Sequence, residues 1–426
     1  MNIFDELSWR GLVHQVSDAE KLREHLETPG RSLYCGFDPT AKSLHIGNLV
    51  PLLGLLRFAM AGHRPMFLLG GATGLIGDPS GKDKERILQT KETLEDSAAR
   101  IKAQVTGLFA KFQLTDRVEV VNNYDWVKEL SAIELLRDVG KHFTINYMLA
   151  KDSVKGRINR EDTGISYTEF SYMILQSYDF YHLNQEKGCS LQIGGGDQFG
   201  NITAGLEFIR RKCGAEAYAL TFPLITTASG AKFGKSEKGA IYLDPEMTAP
   251  YAFYQYWINA DDRDVINYLK YFTLLDETAI NEYAGLTESA PHLREAQKKL
   301  AYETTAMIHG ESEAAKVVAV SEALFGKGDI KTVDAATLMA ALEAAPSVSY
   351  ESLSAVPDLP QVLADLGLVK SKSEARKAIQ AGGLYINNDR AGDENRVLGA
   401  EDLIGGALIL VRKGKKNYGV VEIRGN

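Results

Sequence analysis

The sequence predicts an α/β protein in which a parallel sheet covered by helices is followed by a helical region and a small α+β module. Two observations predict the sheet. In the first 240 residues short apolar segments alternate with segments of helical periodicity, and several apolar segments end in turns rich in Gly or Asp. Strands that alternate with helices form parallel sheets with helices on both faces. From Pro250 to about Phe325 only helical spacing is found, which predicts the helical region.

The individual elements follow in chain order. We predict strands at Arg31–Phe37, Met66–Gly70, Val118–Asn122, Ser190–Gly194 and Tyr218–Ile225, and helices at Leu49–Ala61 and Lys91–Lys111. Residues 246–325 form the helical domain, and 326–360 read as a linker with one Ala-rich helix. Residues 361–426 form the final module, which ends in strands at Ala407–Val411 and Tyr418–Ile423. The first domain then spans residues 1–245.

Composition and charge limit the function classes. The chain has 426 residues, of which 45% are apolar and 24% charged, as expected for a globular protein of two to four domains. The net charge is −8, which argues against a globally basic nucleic-acid coat. Residues 361–426 nevertheless hold 11 basic and 8 acidic residues, so the rest of the chain has a net charge of −11. A basic module on an acidic body suggests a separate, anionic partner.

The cysteines and the N-terminal segment place the protein by default in the cytoplasm. Cys35, Cys189 and Cys213 form no CxxC pair, which argues against a disulfide framework and a zinc site. The N-terminal segment contains acidic residues and no apolar core, unlike a signal peptide. No apolar run approaches 18 residues, so no membrane span is predicted.

The segment from Tyr34 to Asn48 leaves a strand, turns, and enters a helix. A helix N-terminus offers free N–H groups and a positive dipole end, which favour phosphate. Thr40 and His45 can donate hydrogen bonds there, and Gly47 allows a flat group to approach the backbone. The alternative is an ordinary strand–helix connection with a surface histidine.

Two further loops have residues suited to a nucleotide. Lys232 and Lys235 lie three residues apart with Gly234 between them, which suits a loop that closes on phosphates. A solvated basic loop explains the same pattern equally well. Gln192–Asn201 places a run of three glycines at a strand end, followed by Asp197 and Gln198. A carboxylate beside such glycines is typical of a ribose site, although a plain Gly-rich turn is also possible.

A fourth segment, Tyr172–Asp179, is predicted to be helical. Residues 172, 176 and 179 then share one face, so a phenol, an amide and a carboxylate converge among apolar neighbours. A solvated polar face is the alternative, but Met173, Ile174 and Leu175 favour burial. A buried polar trio needs hydrogen-bond partners, which a polar ligand would supply.

Together these segments resemble the bacterial tyrosyl-tRNA synthetases, a family of class I aminoacyl-tRNA synthetases. His45-Ile46-Gly47-Asn48 resembles the HIGH signature and Lys232-Phe233-Gly234-Lys235-Ser236 the KMSKS signature. The GGxDQ segment, the Tyr–Gln–Asp helix and the loop Gly70–Lys82 also match. Asn48 replaces the second signature histidine, and Phe233-Gly234 replaces Met-Ser, as is familiar in the tyrosyl branch.

The resemblance implies a Rossmann-like catalytic domain, an anticodon-recognition helical domain and a C-terminal S4-like RNA-binding domain. It implies a ligase that makes tyrosyl-adenylate and pyrophosphate from L-tyrosine and ATP with Mg²⁺, then transfers tyrosine to the 3′ end of tRNA(Tyr). It also implies a homodimer formed through an insertion near residues 110–165. No tightly bound protein metal site is expected.

The same resemblance assigns roles to residues of this sequence. Tyr34 and Asp179 would bind the substrate phenol, Asp78, Tyr172 and Gln176 its ammonium, and Gln198 would lie near its carboxylate and the α-phosphate. Contacts to ATP would come from Cys35, Gly36, Asp38, His45, Gly47, Asn48, Gly195, Asp197 and Lys235, with Cys35 and Asp197 at the ribose. Catalysis would rest on Thr40, His45, Lys82, Arg86, Lys232 and Lys235. Contacts to tRNA phosphates would come from Lys370, Lys372, Arg376, Lys377, Arg412, Lys413, Lys415 and Lys416.

Two other functions are compatible with parts of this pattern. A tryptophanyl-tRNA synthetase shares the signatures, but the Tyr34 and Asp179 pair and the C-terminal module argue against it. An RNA-binding or splicing factor descended from a synthetase would normally lose the signature residues, which are present here. Pyrophosphate exchange with tyrosine separates the three.

Overall fold

A computed structural model of the chain describes residues 2–80, 89–151, 154–155, 164–228, 230, 233–236, 239–325, 328–414 and 417–424. The chain divides into two compact units. The first comprises Met1–Met247 with Ala260–Leu300, and the second comprises Thr248–Asn259 with Ala301–Asn426.

The first unit is built on a six-stranded sheet. Its strands are β1 Gln15–Val16, β2 Ser32–Phe37, β3 Arg64–Leu69, β4 Glu119–Asn122, β5 Cys189–Gly195 and β6 Tyr218–Phe222, in the order β1-β6-β5-β2-β3-β4. All neighbours are parallel except β1, which runs antiparallel to β6. The five predicted strands are therefore confirmed. The last one ends at Phe222, three residues early, because Pro223 has no N–H to donate.

Helices cover this sheet and form most of the rest of the chain. In the first 213 residues they are α1 Ile3–Trp9, α2 Ala19–His25, α3 Leu49–Met60, α4 Thr73–Ile76, α5 Lys91–Lys111, α6 Tyr124–Val127, α7 Ala132–Glu134, α8 Ile145–Leu149, α9 Tyr167–Lys187 and α10 Phe199–Cys213. After them come α11 Pro250–Ile258, α12 Asp262–Phe272, α13 Glu277–Ser289, α14 Glu295–His309, α15 Glu311–Leu324, α16 Ala335–Ala341, α17 Leu359–Asp365 and α18 Lys372–Gln380. The predicted helices 49–61 and 91–111 match α3 and α5.

The order of the strands determines where the loops meet. The chain proceeds from β2 to β3 on one side of the sheet, whereas β5 lies on the other side of β2. Between β2 and β5 the crossovers diverge, which leaves a crevice at their carboxyl ends. The turn Ile46–Asn48, the turn Gly196–Gln198 and the short hairpin of β7 (Lys235–Ser236) and β8 (Gly239–Ala240) all belong to this unit.

The second unit contains a five-stranded sheet. Its strands are β9 Ser347–Tyr350, β10 Leu384–Ile386, β11 Asp389–Arg390, β12 Leu408–Lys413 and β13 Asn417–Ile423, in the order β11-β10-β12-β13-β9. The predicted strands 407–411 and 418–423 correspond to β12 and β13. β9 lies within the segment predicted as a linker and pairs in parallel with β13. Its sequence, Ser-Val-Ser-Tyr, alternates polar and apolar residues over only four positions, which is too short a pattern to separate it from the linker around it.

The core of this sheet is formed by its own helices and strands. Leu363 of α17 and Ile379 of α18 are completely buried against Ile409 and Val421 of the central strands. Among the described residues, no helix is both long and apolar enough to cross a bilayer.

Candidate active site

A cavity of about 730 Å³ opens at the carboxyl ends of β2 and β5. It collects the predicted amino-acid, ATP and catalytic residues whose side chains the structure describes. These are Tyr34, Cys35, Gly36, Asp38, Thr40, His45, Gly47, Asn48, Asp78, Tyr172, Gln176, Asp179, Gly195, Asp197 and Gln198. Segments far apart in the sequence, from Tyr34 to Gln198, thus meet in one crevice, as the strand order requires.

The turn that leads into α3 presents His45 to the cavity. The His45 backbone N–H donates to Asn48 Oδ1 at 3.0 Å, and the Gly47 N–H donates to His45 Nδ1 at 3.0 Å. Asn48, the residue that departs from the HIGH pattern, therefore closes the turn. Because Nδ1 accepts a hydrogen bond, a neutral His45 ring holds its proton on Nε2.

Asp179 lies at the base of the cavity and is 2% exposed. Its Oδ2 accepts from Asn123 Nδ2 at 3.0 Å and its Oδ1 from Trp126 Nε1 at 2.8 Å. The two donors fix the plane of the carboxyl group. Burial raises the pKa of Asp179 to about 7, although both hydrogen bonds act to lower it.

The hydroxyl of Tyr34 is also buried in the cavity wall. Tyr34 is 1% exposed, its ring packs edge-on against Phe180 at 5.4 Å, and its hydroxyl has no hydrogen-bond partner among the residues that the structure describes. Burial raises the pKa of Tyr34, and the nearby Asp179 charge adds to this rise. A buried hydroxyl without a partner is costly unless a ligand completes it.

A hydrogen-bonded network links Asp179 to Asp38. Asn123 Nδ2 donates to Thr73 Oγ1 at 3.0 Å, and Thr73 Oγ1 donates to Asp38 Oδ1 at 2.8 Å. The other oxygen of Asp38 accepts from the Tyr172 hydroxyl at 3.1 Å. Asp38, which the resemblance assigns to ATP, is thus bonded to a residue predicted to bind the amino acid.

A second network surrounds Asp78. Gln198 Nε2 donates to Asp78 Oδ2 at 2.7 Å, and the Ser80 N–H donates to Asp78 Oδ1 at 2.9 Å. Asn201 Nδ2 then contacts Gln198 Oε1 and Ser80 Oγ, each at 3.3 Å. The Asp78 carboxylate is therefore held by amide donors and presents negative charge to the cavity.

Two amide oxygens in the cavity wall have no partner in the described part of the chain. The Oε1 atoms of Gln176 and Gln192 are buried and accept no hydrogen bond from any residue described there. Together with the Tyr34 hydroxyl they are polar atoms of the described cavity wall that a ligand could satisfy. A ligand with its own donors would satisfy them.

Four residues predicted for catalysis cannot be placed in full. Lys82, Arg86 and Lys232 lie outside the described residues, as do Lys415 and Lys416 of the predicted RNA surface. For Lys235 the backbone is placed, at the start of β7. Cys35 is buried at the end of β2, and burial raises the pKa of its thiol.

The predicted RNA-binding residues on α18 and just before it are exposed, whereas Arg412 and Lys413 on β12 pack against other residues of the module. Lys370, Lys372, Arg376 and Lys377 are exposed, and Lys372 pairs with Asp358 at 3.2 Å. Lys413 donates to the Leu368 carbonyl at 2.8 Å and pairs with Glu374 at 2.9 Å. Arg412 lies over the ring of Tyr385.

Sequence patterns did not predict Asn123, Trp126 and Thr73, which hold the carboxylates of Asp179 and Asp38 in place. A signal was available for the first two, because Asn123 directly follows the predicted strand 118–122, where ligands of parallel sheets bind. Gln192 was quoted within a motif without a role. No pattern distinguished Thr73 from other threonines.

Comparison with protein families identifies both parts of the chain. Residues 28–326 match the family model of class I tRNA synthetases of the W and Y types. Residues 338–421 match the model of the C-terminal domain of tyrosine–tRNA ligases of the SYY type.

Individual relatives extend the match to nearly the full length. The chain is 52% identical to the tyrosine–tRNA ligase of Geobacillus kaustophilus over 420 residues, 98% of this chain and 99% of the relative. It is 51% identical to tyrosine–tRNA ligase 1 of Bacillus subtilis over 423 residues, 99% of each. A C-terminally truncated mitochondrial tyrosyl-tRNA synthetase from Aspergillus nidulans superimposes with a TM-score of 0.67 at 32% identity, covering 74% of this chain and 92% of that one. The chain therefore belongs to the tyrosine–tRNA ligase family of class I aminoacyl-tRNA synthetases.

Proposed function

We propose that the cavity is the place where this tyrosine–tRNA ligase joins L-tyrosine to ATP, and that its lining residues take the roles described below. One observation supports the assignment most strongly. The Tyr34 hydroxyl is buried without a partner in the same wall as Asp179, whose carboxylate Asn123 and Trp126 hold in place. An acceptor and an unsatisfied hydroxyl suit a phenol, which both donates and accepts a hydrogen bond.

The amino-acid end of tyrosine would lie near Asp78. In our proposal the Asp78 carboxylate, the Tyr172 hydroxyl and the unsatisfied Gln176 Oε1 receive the ammonium group, and Gln198 approaches the carboxylate. The bonds from Gln198 and Ser80 to Asp78 support this assignment, because they orient an anion toward the cavity. Asp38, which accepts hydrogen bonds from Tyr172 and Thr73, would orient the phenol of Tyr172 as well as contact ATP.

No residue needs to act as a covalent nucleophile. A carboxylate oxygen of tyrosine attacks the α-phosphorus of ATP, the bond from that phosphorus to the bridging oxygen of the β-phosphate breaks, and pyrophosphate leaves with the electron pair. Catalysis then consists of positioning and of stabilising charge on the leaving group. Thr40 and the Nε2–H of His45 would donate to the terminal phosphate. Lys82, Arg86, Lys232 and Lys235 would add positive charge, and Mg²⁺ would enter with ATP.

For ribose and adenine we propose the wall formed by the ends of β2 and β5. Cys35 and Asp197 would contact the ribose hydroxyls, with Gly36, Gly47, Asn48 and Gly195 allowing a close approach. Asp197 lies directly after the glycine run, at the carboxyl end of β5.

Outside the cavity we propose an RNA-binding role for the C-terminal module and a cytoplasmic location. The exposed basic residues of α18 are the ones suited to contact phosphates. In this proposal residues 1–245 form the catalytic domain and residues 246–325 the anticodon-recognition domain. The strand β9 would belong with the S4-like module 361–426, because it pairs with β13 of that sheet.

We also propose that the chain forms a homodimer through residues 110–165. Ile133, Leu136 and Ile145 are 68%, 58% and 60% exposed, and Leu149 is 36% exposed, so the described part of this region has several large apolar side chains in solvent. A second copy of the chain would cover them.

Pyrophosphate exchange tests the proposed substrate. Purified protein should incorporate labelled pyrophosphate into ATP when tyrosine is present, far more than with phenylalanine or tryptophan. Tryptophan activated better than tyrosine would overturn the substrate assignment. Exchange unaffected by Asp179→Ala would overturn the assignment of the cavity.

A further inference from the structure

Phe233, within the lysine-containing signature, lies against two aromatic rings of α12. Its ring stacks on Phe272 with centroids 5.3 Å apart and planes inclined by 7°, and it meets the edge of Tyr268 at 5.5 Å. Phe272 and Tyr268 in turn pack edge to face at 5.8 Å. Both are buried, at 0% and 4% exposure. We call these three residues the aromatic cluster.

The next residue, Gly234, lies against the His45–Asn48 turn. Its φ is 81°, and a Cβ at this position would lie 3.4 Å from the Gly47 nitrogen and from Ile46 Cγ1. The Gly234 carbonyl accepts from the Ile241 N–H at 3.2 Å, and the Ile241 carbonyl accepts from the Ile46 N–H at 2.9 Å. The two signature segments are therefore joined through backbone hydrogen bonds, and Lys235 follows at the next position.

The C-terminal end of α12, which carries Tyr268 and Phe272, is hydrogen-bonded to α3, the helix that begins at the His45–Asn48 turn. Arg57 of α3 is 2% exposed and Arg10 is 3% exposed. They donate to backbone carbonyls at the C-terminal end of α12, those of Lys270, Tyr271, Thr273 and Leu275, at 2.8 to 3.4 Å. Cations at a helix C-terminus also oppose its negative dipole end. Hence α3 connects the His45 turn, at its N-terminal end, with α12, whose Tyr268 and Phe272 rings contact Phe233.

We propose that Phe233 is a positioning residue for tyrosyl-adenylate formation. With its ring seated on Phe272 and Tyr268, Gly234 is held over Gly47, and the backbone of Lys235 starts from a defined place beside the cavity. The proposal rests on the assignment of this cavity as the adenylate-forming site. Packing against Phe272 and Tyr268 then explains why an aromatic residue lies within a lysine-containing signature, which phosphate binding by the lysines does not explain.

The test compares single-turnover adenylate formation in the full-length wild type and in Phe233→Ala, Phe233→Met and Phe325→Ala. Phe325→Ala is the matched control, because Phe325 is 72% exposed. We expect Phe233→Ala to slow the chemical step roughly tenfold, the scale of two aromatic contacts, with tyrosine affinity within twofold of wild type. Phe233→Met should recover most of the rate, since a thioether packs well on aromatic rings. Phe325→Ala should have no effect.

A double-mutant cycle separates positioning from general loss of stability. Phe272→Leu keeps most of the buried volume but removes the stacking face, so it should slow the chemical step as Phe233→Ala does. The double variant should be no slower than the slower single variant, because each single variant already removes the stack of Phe233 on Phe272. A Phe233→Ala protein with a wild-type thermal midpoint and a wild-type rate would overturn the proposal, as would fully additive losses in the double variant. Absence of tyrosine-dependent exchange in the wild type would instead overturn the proposed function of the cavity.

Discussion

At the scale of single residues, the cavity leaves polar atoms unsatisfied where a substrate can complete them. Among the described residues, the Tyr34 hydroxyl and the Oε1 atoms of Gln176 and Gln192 have no hydrogen-bond partner, whereas both oxygens of Asp179 and of Asp38 have one. Carboxylates that are held in place keep their geometry before the ligand arrives. This division favours a preorganised site over one that forms around its substrate.

Tyr34→Phe should reduce discrimination between tyrosine and phenylalanine. The variant removes one neutral hydrogen bond to the substrate, which is worth about 0.5–1.5 kcal/mol, so the ratio of kcat/KM values should fall roughly two- to tenfold. Because the hydroxyl has no partner in the free protein, the thermal midpoint should not fall. The measurement is pyrophosphate exchange with both amino acids, alongside a melting curve. An unchanged ratio would remove Tyr34 from the specificity site.

Tyrosine affinity should weaken as pH falls through about 7. Burial raises the pKa of Asp179 to about 7, so the carboxylate that would accept a hydrogen bond from the substrate phenol becomes protonated below that pH. Equilibrium binding of tyrosine without ATP, from pH 5.5 to 8.5, measures the effect and avoids titration of ATP. Phenylalanine is the control ligand, since it has no phenol proton to donate. A tyrosine-to-phenylalanine affinity ratio independent of pH would contradict this role.

The raised pKa of Asp179 also predicts how the stability of the fold changes with pH. An ordinary aspartate in the unfolded chain ionises near 3.8, below the folded value of about 7. The stability that this group contributes is therefore complete below pH 3.8 and is lost as pH rises through 7.

At the scale of elements, the turn between β2 and α3 places donors at a helix start. His45 caps the turn through Nδ1, so its outward Nε2–H and the Thr40 hydroxyl can face a phosphate. The loop after β3 also approaches this turn closely. A Cβ at Gly70 would collide with the Asp38 carboxylate, so position 70 requires glycine.

Thr40→Ala combined with His45→Ala should slow tyrosyl-adenylate formation by about 10²-fold or more, the scale for lost transition-state donors. Tyrosine affinity should change little, because neither residue is assigned to the amino acid. Rapid mixing with pre-bound tyrosine measures the rate. Thr40→Ser, which keeps a hydroxyl, should retain most of the activity when His45 is intact. Wild-type single-turnover rates in the double variant would disprove the assignment.

At the scale of the whole molecule, the compact unit that contains the cavity excludes the C-terminal sheet. Deleting residues 328–426 should therefore abolish tRNA charging and leave tyrosyl-adenylate formation within about twofold. The deletion starts before β9 because a cut at residue 361 would leave that strand without β13. tRNA binding by the full chain should weaken as salt rises. Normal charging by the truncated protein would require another role for the module.

The oligomeric state tests the apolar surface of the 110–165 region. Leu136→Asp with Ile145→Asp should shift the protein from dimer to monomer in sedimentation velocity at micromolar concentration. Val397→Asp is the control, because Val397 is 81% exposed but lies in the C-terminal module. If the wild type itself sediments as a monomer, the dimer proposal is wrong.

The sequence by itself determined the alternation of strands and helices, and its motifs together with the family resemblance predicted many of the residues that line the cavity. Hydrophobic spacing is local, so it located α3, α5 and the five parallel strands. The motifs that follow the strands contained the cavity residues because parallel sheets bring carboxyl ends to one edge.

Only the tertiary structure decided which groups hold those residues in place. Asn123, Trp126 and Thr73 act through contacts with residues distant in sequence, as Phe272 does for Phe233, and such contacts leave no periodic pattern. β9 likewise became a strand through pairing with β13 rather than through its own composition. Local physics selects elements, whereas burial and hydrogen-bond geometry depend on which elements meet, and this is why the supporting residues emerged only from the fold.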